Sequence, residues 1–247
     1  MGRRRANNED NFYLDGFYKA LEQADQATVR YKRSYGGAVY AVCDGMGGQA
    51  NGEVAAWIGV DGLSPLLSRF LEEDRPLSRL VDDYVQTANE TIMHKSRKAG
   101  SQMGATLALA VLLGAEYHIY NLGDSRAYLY DSGALRQLSR DHTEAQSLAD
   151  MGLPVRPGKD GKLVQFLGIP RDEMILEPYC AEGRLTPEQR LLLCSDGLTD
   201  MLSETEMAAI LARETDVQAA AKALTQAAEE AGGKDNVTAL VVALETE

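Results

Sequence analysis

Four aspartates stand beside apolar, strand-like runs, where a side chain is carried to the edge of a sheet. Asp44 follows AVYAVC, Asp124 follows YHIYNLG, Asp196 follows LLLCS, and Asp235 precedes NVTALVVAL. One aspartate in such a place often marks only a turn, because acids disfavour strand interiors. Four of them predict a rim on which several carboxylates converge.

Carboxylates gathered on one rim would repel one another, and a divalent cation would relieve that repulsion. Carboxylate and carbonyl oxygens are hard ligands that suit Mg²⁺ or Mn²⁺. Gly45, directly after Asp44, has no β-carbon, so the chain can turn sharply and its carbonyl can approach an ion. A carboxylate shared by two such ions would generate hydroxide at neutral pH and hold a phosphoryl group.

Other phosphate chemistries lack their residues in this chain. A cysteine-based phosphatase needs an arginine six positions after its cysteine, where this chain has Gln49, Thr186 and Asp200. None of the Gly-Lys pairs is followed by Ser or Thr, which excludes a P-loop. His-Glu-x-x-His and Cys-x-x-Cys are absent, and the three histidines are scattered.

The charge balance excludes other classes of function. The 247 residues include 25 Lys and Arg against 37 Asp and Glu, a net charge of −12. Such a surface repels nucleic-acid phosphates, so we expect no nucleic-acid partner. The sequence predicts no membrane span and no signal peptide. Three cysteines without a disulfide pattern indicate a reducing compartment, and we expect a cytoplasmic protein.

Strand-like and helix-like patterns cluster separately along the chain, which predicts an α+β protein. The strand-like runs are 38–43, 106–113, 117–122, 127–130, 191–194 and 237–244. Helical spacing is found at 51–73, 77–98, 203–213 and 216–231. Ser203 and Glu206 form a capping-box signature, and 131–133 reads as a hairpin turn. Residues 141–172 read as a polar excursion, and 16–37 fit either a helix and strand or a hairpin.

Seven ordered segments resemble the metal-dependent protein phosphatase (PPM) family, the type 2C serine/threonine phosphatases. The segments are GRRRANNEDNF, VCDGMGGQANGE, MGATL, NLGDSRAYL, LSRDHT, LLLCSDGLTD and GGKDNVT. They are distributed over essentially the whole chain. The resemblance implies a single domain over residues 1–247. Its fold would be a sandwich of two antiparallel β-sheets flanked by α-helices.

The resemblance implies two metal ions per chain, Mn²⁺ or Mg²⁺, and a third, weaker site. Asp44 would bridge two ions, and the Gly45 carbonyl would bind one of them. Asp196 and Asp235 would complete the other. Asp124 would help Asp196 to hold a third, weaker ion.

The resemblance also implies roles for residues around the ions. Glu9 and Asp10 would act mainly through metal-bound waters, with direct ligation by one of them as the alternative. Asn236 would orient Asp235 or those waters. Arg5 would hold the substrate phosphate with its donor fork. The implied reaction is direct displacement, in which a metal-bridging hydroxide attacks the phosphorus of phosphoserine or phosphothreonine.

The implied substrates are phosphorylated proteins, the products of a Ser/Thr protein kinase. Two alternatives stay open: a pseudophosphatase that binds partners without catalysis, and a metal-dependent hydrolase of small phosphoesters. The presence of Asp44, Asp196 and Asp235 argues against the first.

Two positions depart from the family pattern. Met46 stands where many relatives place a histidine, a candidate general acid, and we expect water rather than His142 to take that role. Thr106, in MGATL, keeps one of the two hydroxyls of the usual Gly-Thr-Thr segment. We expect Thr106 to act in strand packing.

Overall fold

The computed structural model describes residues 5, 7–20, 29–30, 36–47, 51–155 and 161–244. Strands among these residues are β1 (Asn11–Leu14), β2 (Phe17–Tyr18), β3 (Gly37–Cys43), β4 (Gly45–Gly47), β5 (Met103–Ala105), β6 (Leu107–Leu113), β7 (Glu116–Leu122), β8 (Arg126–Asp131), β9 (Ala134–Gln137), β10 (Tyr179–Arg184), β11 (Arg190–Cys194) and β12 (Ala239–Ala243). Helices are α1 (Gly52–Asp61), α2 (Leu66–Glu72), α3 (Leu77–Ala99), α4 (Glu144–Asp150), α5 (Asp196–Thr199), α6 (Glu204–Arg213) and α7 (Val217–Glu230).

The strands form antiparallel sheets, which confirms the predicted α+β class. One sheet has the order β10-β7-β6-β3-β1-β2, a second has the order β12-β11-β8-β9, and β4 pairs with β5. Successive side chains of a strand point to opposite faces. In β3, Ala41 and Cys43 pack towards α1–α3, whereas Val42 packs between the two large sheets. Helices α5–α7 cover the outer face of the second sheet.

The helix predicted over 51–73 is two helices. Helix α1 ends at Asp61 and α2 begins at Leu66. Gly62 and Pro65 lie between them, and proline cannot donate the N–H bond that would continue a helix. Gly52–Glu72 also reaches the length and hydropathy of a membrane span, by composition alone. Buried residues of both helices belong to the core beneath the first sheet.

Local turn and cap predictions are confirmed. The Ser203 side chain accepts the Glu206 N–H bond, and the Glu206 side chain accepts the Ser203 N–H bond. The hairpin of β8 and β9 turns through Ser132 and Gly133, both with positive φ. Each of these features depends on residues within a few positions of one another.

Several short strands lack a strong sequence signal. Strands β4 and β5 are glycine-containing three-residue segments, and β10 is an edge strand without a buried residue. The run predicted from Thr106 begins as a strand at Leu107. In the ambiguous region 16–37, Phe17–Tyr18 forms a hairpin with β1. Residues 21–28 and 31–35 lie outside the described part of the chain.

Two buried asparagines hold the ends of the 141–172 excursion. At its start, Asn121 Oδ1 accepts the Arg140 N–H bond at 3.1 Å, and Nδ2 donates to Arg140 O at 2.7 Å. Near its end, Asn89 Oδ1 accepts from Gly168 N and Ile169 N, and Nδ2 donates to Ile169 O. The excursion therefore leaves and rejoins the core at fixed points.

We expect Asn89→Ala to lower the free energy of unfolding by about 2 kcal/mol or more, because it leaves two buried backbone groups of Ile169 and the half-buried N–H of Gly168 without partners. Thermal unfolding measures the loss, and limited proteolysis should cleave the excursion faster. Lys95→Ala, an exposed substitution on the same helix, is the control. Equal stability and proteolysis of the two variants would contradict this role of Asn89.

Candidate metal centre

Strand pairing brings the predicted acids to one rim. Asp10 directly precedes β1 and Asp44 directly follows β3, and these strands pair with Asn11 opposite Cys43. Strands β11 and β12 pair with Cys194 opposite Ala239. That pairing carries Asp196, at the start of α5, towards the 235–238 segment.

The carboxyl groups of Asp44 and Asp196 are close enough to affect each other's ionisation. Burial raises the pKa of Asp44 well above its usual range, and the charges of Asp10 and Asp196 raise it further. Burial also raises the pKa of Asp196. A cation bound between these two carboxyl groups would favour their ionised forms and so lower both pKa values.

Asp10 is only 2% exposed and is held by two hydroxyl groups. Its Oδ2 accepts from Ser195 Oγ and from Thr238 Oγ1, each at 2.7 Å. Burial raises the pKa of Asp10 to about 6, although these two hydrogen bonds lower it. The sequence analysis did not identify Ser195 or Thr238 as site residues. The available signal was their closeness in sequence to Asp196 and Asn236.

Two buried carboxylate oxygens lack a donor. Among the described residues, Asp10 Oδ1 and Asp196 Oδ1 are buried without a hydrogen-bond partner. Buried acceptors are normally satisfied, so such atoms call for an explanation. Carboxylate oxygens are ligands that hard divalent cations prefer, and the oxygen donors at this rim fit such a cation.

Glycines let backbone groups approach the rim closely. A β-carbon on Gly45 would lie 2.0 Å from Gly52 O, and one on Gly197 would lie 1.9 Å from Asn236 O. A β-carbon on Gly52 would lie 2.7 Å from Gly45 O and 2.8 Å from Glu9 Cδ. The Glu9 carboxyl and the Gly45 carbonyl therefore flank the same point of the chain. Burial raises the pKa of Glu9.

Asp124 lies between β7 and β8 and belongs to the same electrostatic cluster. Burial raises its pKa to about 7, and the charges of Asp196 and Asp141 contribute to the rise. His142, the alternative acid, accepts a hydrogen bond at Nδ1 from Gly123 N at 3.3 Å. Burial lowers the pKa of His142.

Arg5 reaches the rim and donates a hydrogen bond to Asp235 Oδ2. Asp235, which the resemblance assigns to a metal ion, is thus bound here by the Arg5 guanidinium. Within the described residues, no three His, Cys, Asp or Glu side chains form a closed metal-ligand set. Structural support for a metal therefore comes from the unsatisfied oxygens and the carboxyl pair.

Asn236 contacts more of the chain than the sequence predicts. Its backbone N–H donates to Asp235 Oδ1 at 2.8 Å. Its side chain instead holds the N-terminal segment: Oδ1 accepts from Glu9 N at 2.9 Å, and Nδ2 donates to Asn7 O at 3.0 Å. The predicted orientation of Asp235 is thus made by the backbone, while the side chain positions the residues that carry Glu9.

Comparisons with known proteins identify the family and agree with this fold. Residues 21–240 match the family model described as protein phosphatase 2C. The chain is 31% identical over 242 residues to the serine/threonine phosphatase stp of Listeria monocytogenes, covering 89% of this chain and 93% of that one. It is 32% identical over 245 residues to the serine/threonine protein phosphatase PstP of Mycobacterium tuberculosis, covering 96% of this chain and 42% of PstP.

Solved structures show the same fold. A crystal structure of Mycobacterium tuberculosis PstP/Ppp aligns with a TM-score of 0.79 at 29% identity, over 99% of this chain and 95% of that one. The PstP catalytic domain in complex with two manganese ions aligns with a TM-score of 0.75 at 30% identity, over 97% and 93% of the two chains. By sequence and by fold, the chain belongs to the protein phosphatase 2C family.

Proposed function

We propose that this chain hydrolyses phosphoserine and phosphothreonine in proteins with the help of two bound Mn²⁺ or Mg²⁺ ions. The observation that carries the proposal is the carboxylate rim, where buried oxygens of Asp10 and Asp196 lack donors. The names of the stp and PstP relatives and the two manganese ions of a PstP structure support it.

The proposed ligands are the groups that the fold gathers at the rim. Asp44, the Gly45 carbonyl, Asp196 and Asp235 would hold two ions, and Asp124 would contribute to a third, weaker site. Glu9 and Asp10 would accept hydrogen bonds mainly from water around the ions. When bound, such ions lower the pKa of water and offset negative charge on a phosphoryl group. The reaction proposed is direct displacement at phosphorus.

The chain's own residues orient the ligands and the substrate. Ser195 and Thr238 fix the Asp10 carboxylate, and the Asn236 side chain fixes the backbone at Glu9. Arg5 is exposed at the rim and presents a guanidinium that can bind two phosphate oxygens at once. Arg5 contacts Asp235 through Nη2, and that group would become available to the substrate when Asp235 binds an ion.

The proposed substrates are proteins phosphorylated by a Ser/Thr kinase, in the cytoplasm. The acidic composition favours a protein substrate over nucleic acid. The three cysteines are free, and Cys43 and Cys194 are buried beside the rim. Free cysteines agree with a reducing compartment.

We expect Asp44→Asn to reduce kcat for a phosphothreonine peptide by about 100-fold or more, because it removes the carboxylate proposed to bridge the ions. Phosphate release with Mn²⁺ and with EDTA measures the effect. Asp131→Asn, an exposed aspartate at the end of β8, is the matched control.

Wild-type activity in Asp44→Asn, or activity that survives EDTA, would contradict the mechanism. Comparing kcat/KM for the peptide with that for p-nitrophenyl phosphate tests the alternative of a small-phosphoester hydrolase. A higher kcat/KM for p-nitrophenyl phosphate would favour that alternative.

We expect Mn²⁺ at about 100 times its Kd to stabilise the protein by about 2.7 kcal/mol relative to EDTA, since it relieves repulsion among buried carboxylates. For a chain of this length the rise in Tm is about 5–10 °C. Differential scanning calorimetry measures it. Asp44→Asn should lose most of the rise, and an equal rise in this variant would place the stabilising ion elsewhere.

We expect Arg5→Ala to raise KM for the phosphopeptide about tenfold with kcat changed less than about threefold, because it removes a phosphate contact made before and during reaction. Steady-state kinetics separates the two constants. Arg79→Ala, at an exposed position on α3, controls for the loss of a positive charge. A fall in kcat at unchanged KM would show that Arg5 acts on the reaction step alone.

A further inference from the structure

Asp44 lies at a break between two strand pairings. Strand β3 pairs with β6 as far as Val42 and Ala108, and β4 pairs with β5 at Gly45 and Ala105. The two pairings keep the same register, so Asp44 lies opposite Thr106. The bonds made at this break therefore decide where the Asp44 backbone lies.

Thr106 binds both polar groups of the Asp44 backbone. Its N–H donates to Asp44 O at 2.9 Å, and its side-chain Oγ1 accepts from Asp44 N at 2.9 Å. In a regular antiparallel ladder a backbone carbonyl would take the second bond. Thr106 is 1% exposed, so solvent does not readily replace its hydroxyl.

The same hydroxyl touches the turn that carries Asp124. Ser125 Oγ lies 2.6 Å from Thr106 Oγ1, and Ser125 is fully buried. Gly123 has φ +89°, and a β-carbon there would lie 2.7 Å from Thr106 Cγ2. One threonine therefore packs against the Asp124 turn while it binds the Asp44 backbone.

We propose that Thr106 and Ser125 form a positioning pair that sets the separation of Asp44 and Asp124 and thereby the affinity of the rim for divalent cations. The inference rests on the proposed function, in which these two acids bind ions. It gives the Thr106 hydroxyl a role beyond the strand packing predicted from the sequence. Outer contacts that orient metal ligands commonly govern metal affinity.

The test is calorimetric titration of Mn²⁺ into the full chain. Thr106→Val keeps the branched shape but removes the acceptor for Asp44 N, and it should weaken Mn²⁺ binding about tenfold or more. Thr106→Ser keeps the hydroxyl and should bind Mn²⁺ within about threefold of wild type. Wild-type affinity in Thr106→Val would overturn the proposal, because packing alone would then explain the residue.

Ser125→Ala provides a second variant if Thr106→Val does not fold. It removes the hydroxyl beyond Thr106 and should also weaken Mn²⁺ binding. Ser139→Ala is its matched control, since buried Ser139 Oγ accepts a backbone bond from Ala127 N at 3.0 Å. Equal Mn²⁺ affinity in Ser125→Ala and Ser139→Ala would overturn the proposal.

The titration does not depend on catalysis, so the two proposals fail separately. A wild-type chain that binds Mn²⁺ but releases no phosphate from a phosphothreonine peptide would reject the proposed function, and the Mn²⁺ affinities of Thr106→Val and Thr106→Ser would still decide the positioning pair. If the wild-type chain releases phosphate and Thr106→Val binds Mn²⁺ as tightly as wild type, only the positioning pair is rejected.

Discussion

Repulsion among carboxylates is the constraint on which the rest of this structure depends. Asp10, Asp44, Asp124 and Asp196 all have pKa values raised first by burial, and each is raised further by the charge of another acid. A rim of this kind would spread apart if only its side chains held it. The fold opposes that spreading with backbone bonds, because strand pairing fixes the chain directly after Asp10, directly before Asp44 and close to Asp196.

Neutral polar groups provide the finer support. Hydroxyls of Ser195 and Thr238 bind Asp10, and the hydroxyl of Thr106 binds the backbone of Asp44. The side-chain amide of Asn236 holds the N-terminal segment against the segment that precedes β12. Neutral donors orient a carboxylate without supplying a full positive charge, and so they leave its charge available for a cation.

Sequence patterns predicted the acids but not their partners. Asp44, Asp124 and Asp196 could be predicted because the end of an apolar run and a nearby glycine are local signals. Ser195 binds Asp10 across 185 positions, and Asn236 binds Glu9 across 227. Those pairings exist only after the sheets form, so no local pattern could indicate them. The predicted helix over 51–73 was wrong in its continuity, although the glycine and proline that divide it were visible.

The 141–172 excursion is held near its two ends by Asn121 and Asn89. Their side chains form hydrogen bonds only with backbone atoms there. Hydrogen bonds to backbone atoms do not depend on which side chains lie between these two attachment points. Exposed residues between the two points, such as Met151 and Leu153, can therefore be substituted without loss of either attachment. The attachment of the excursion and the character of its exposed surface are in this way set by different residues of one chain.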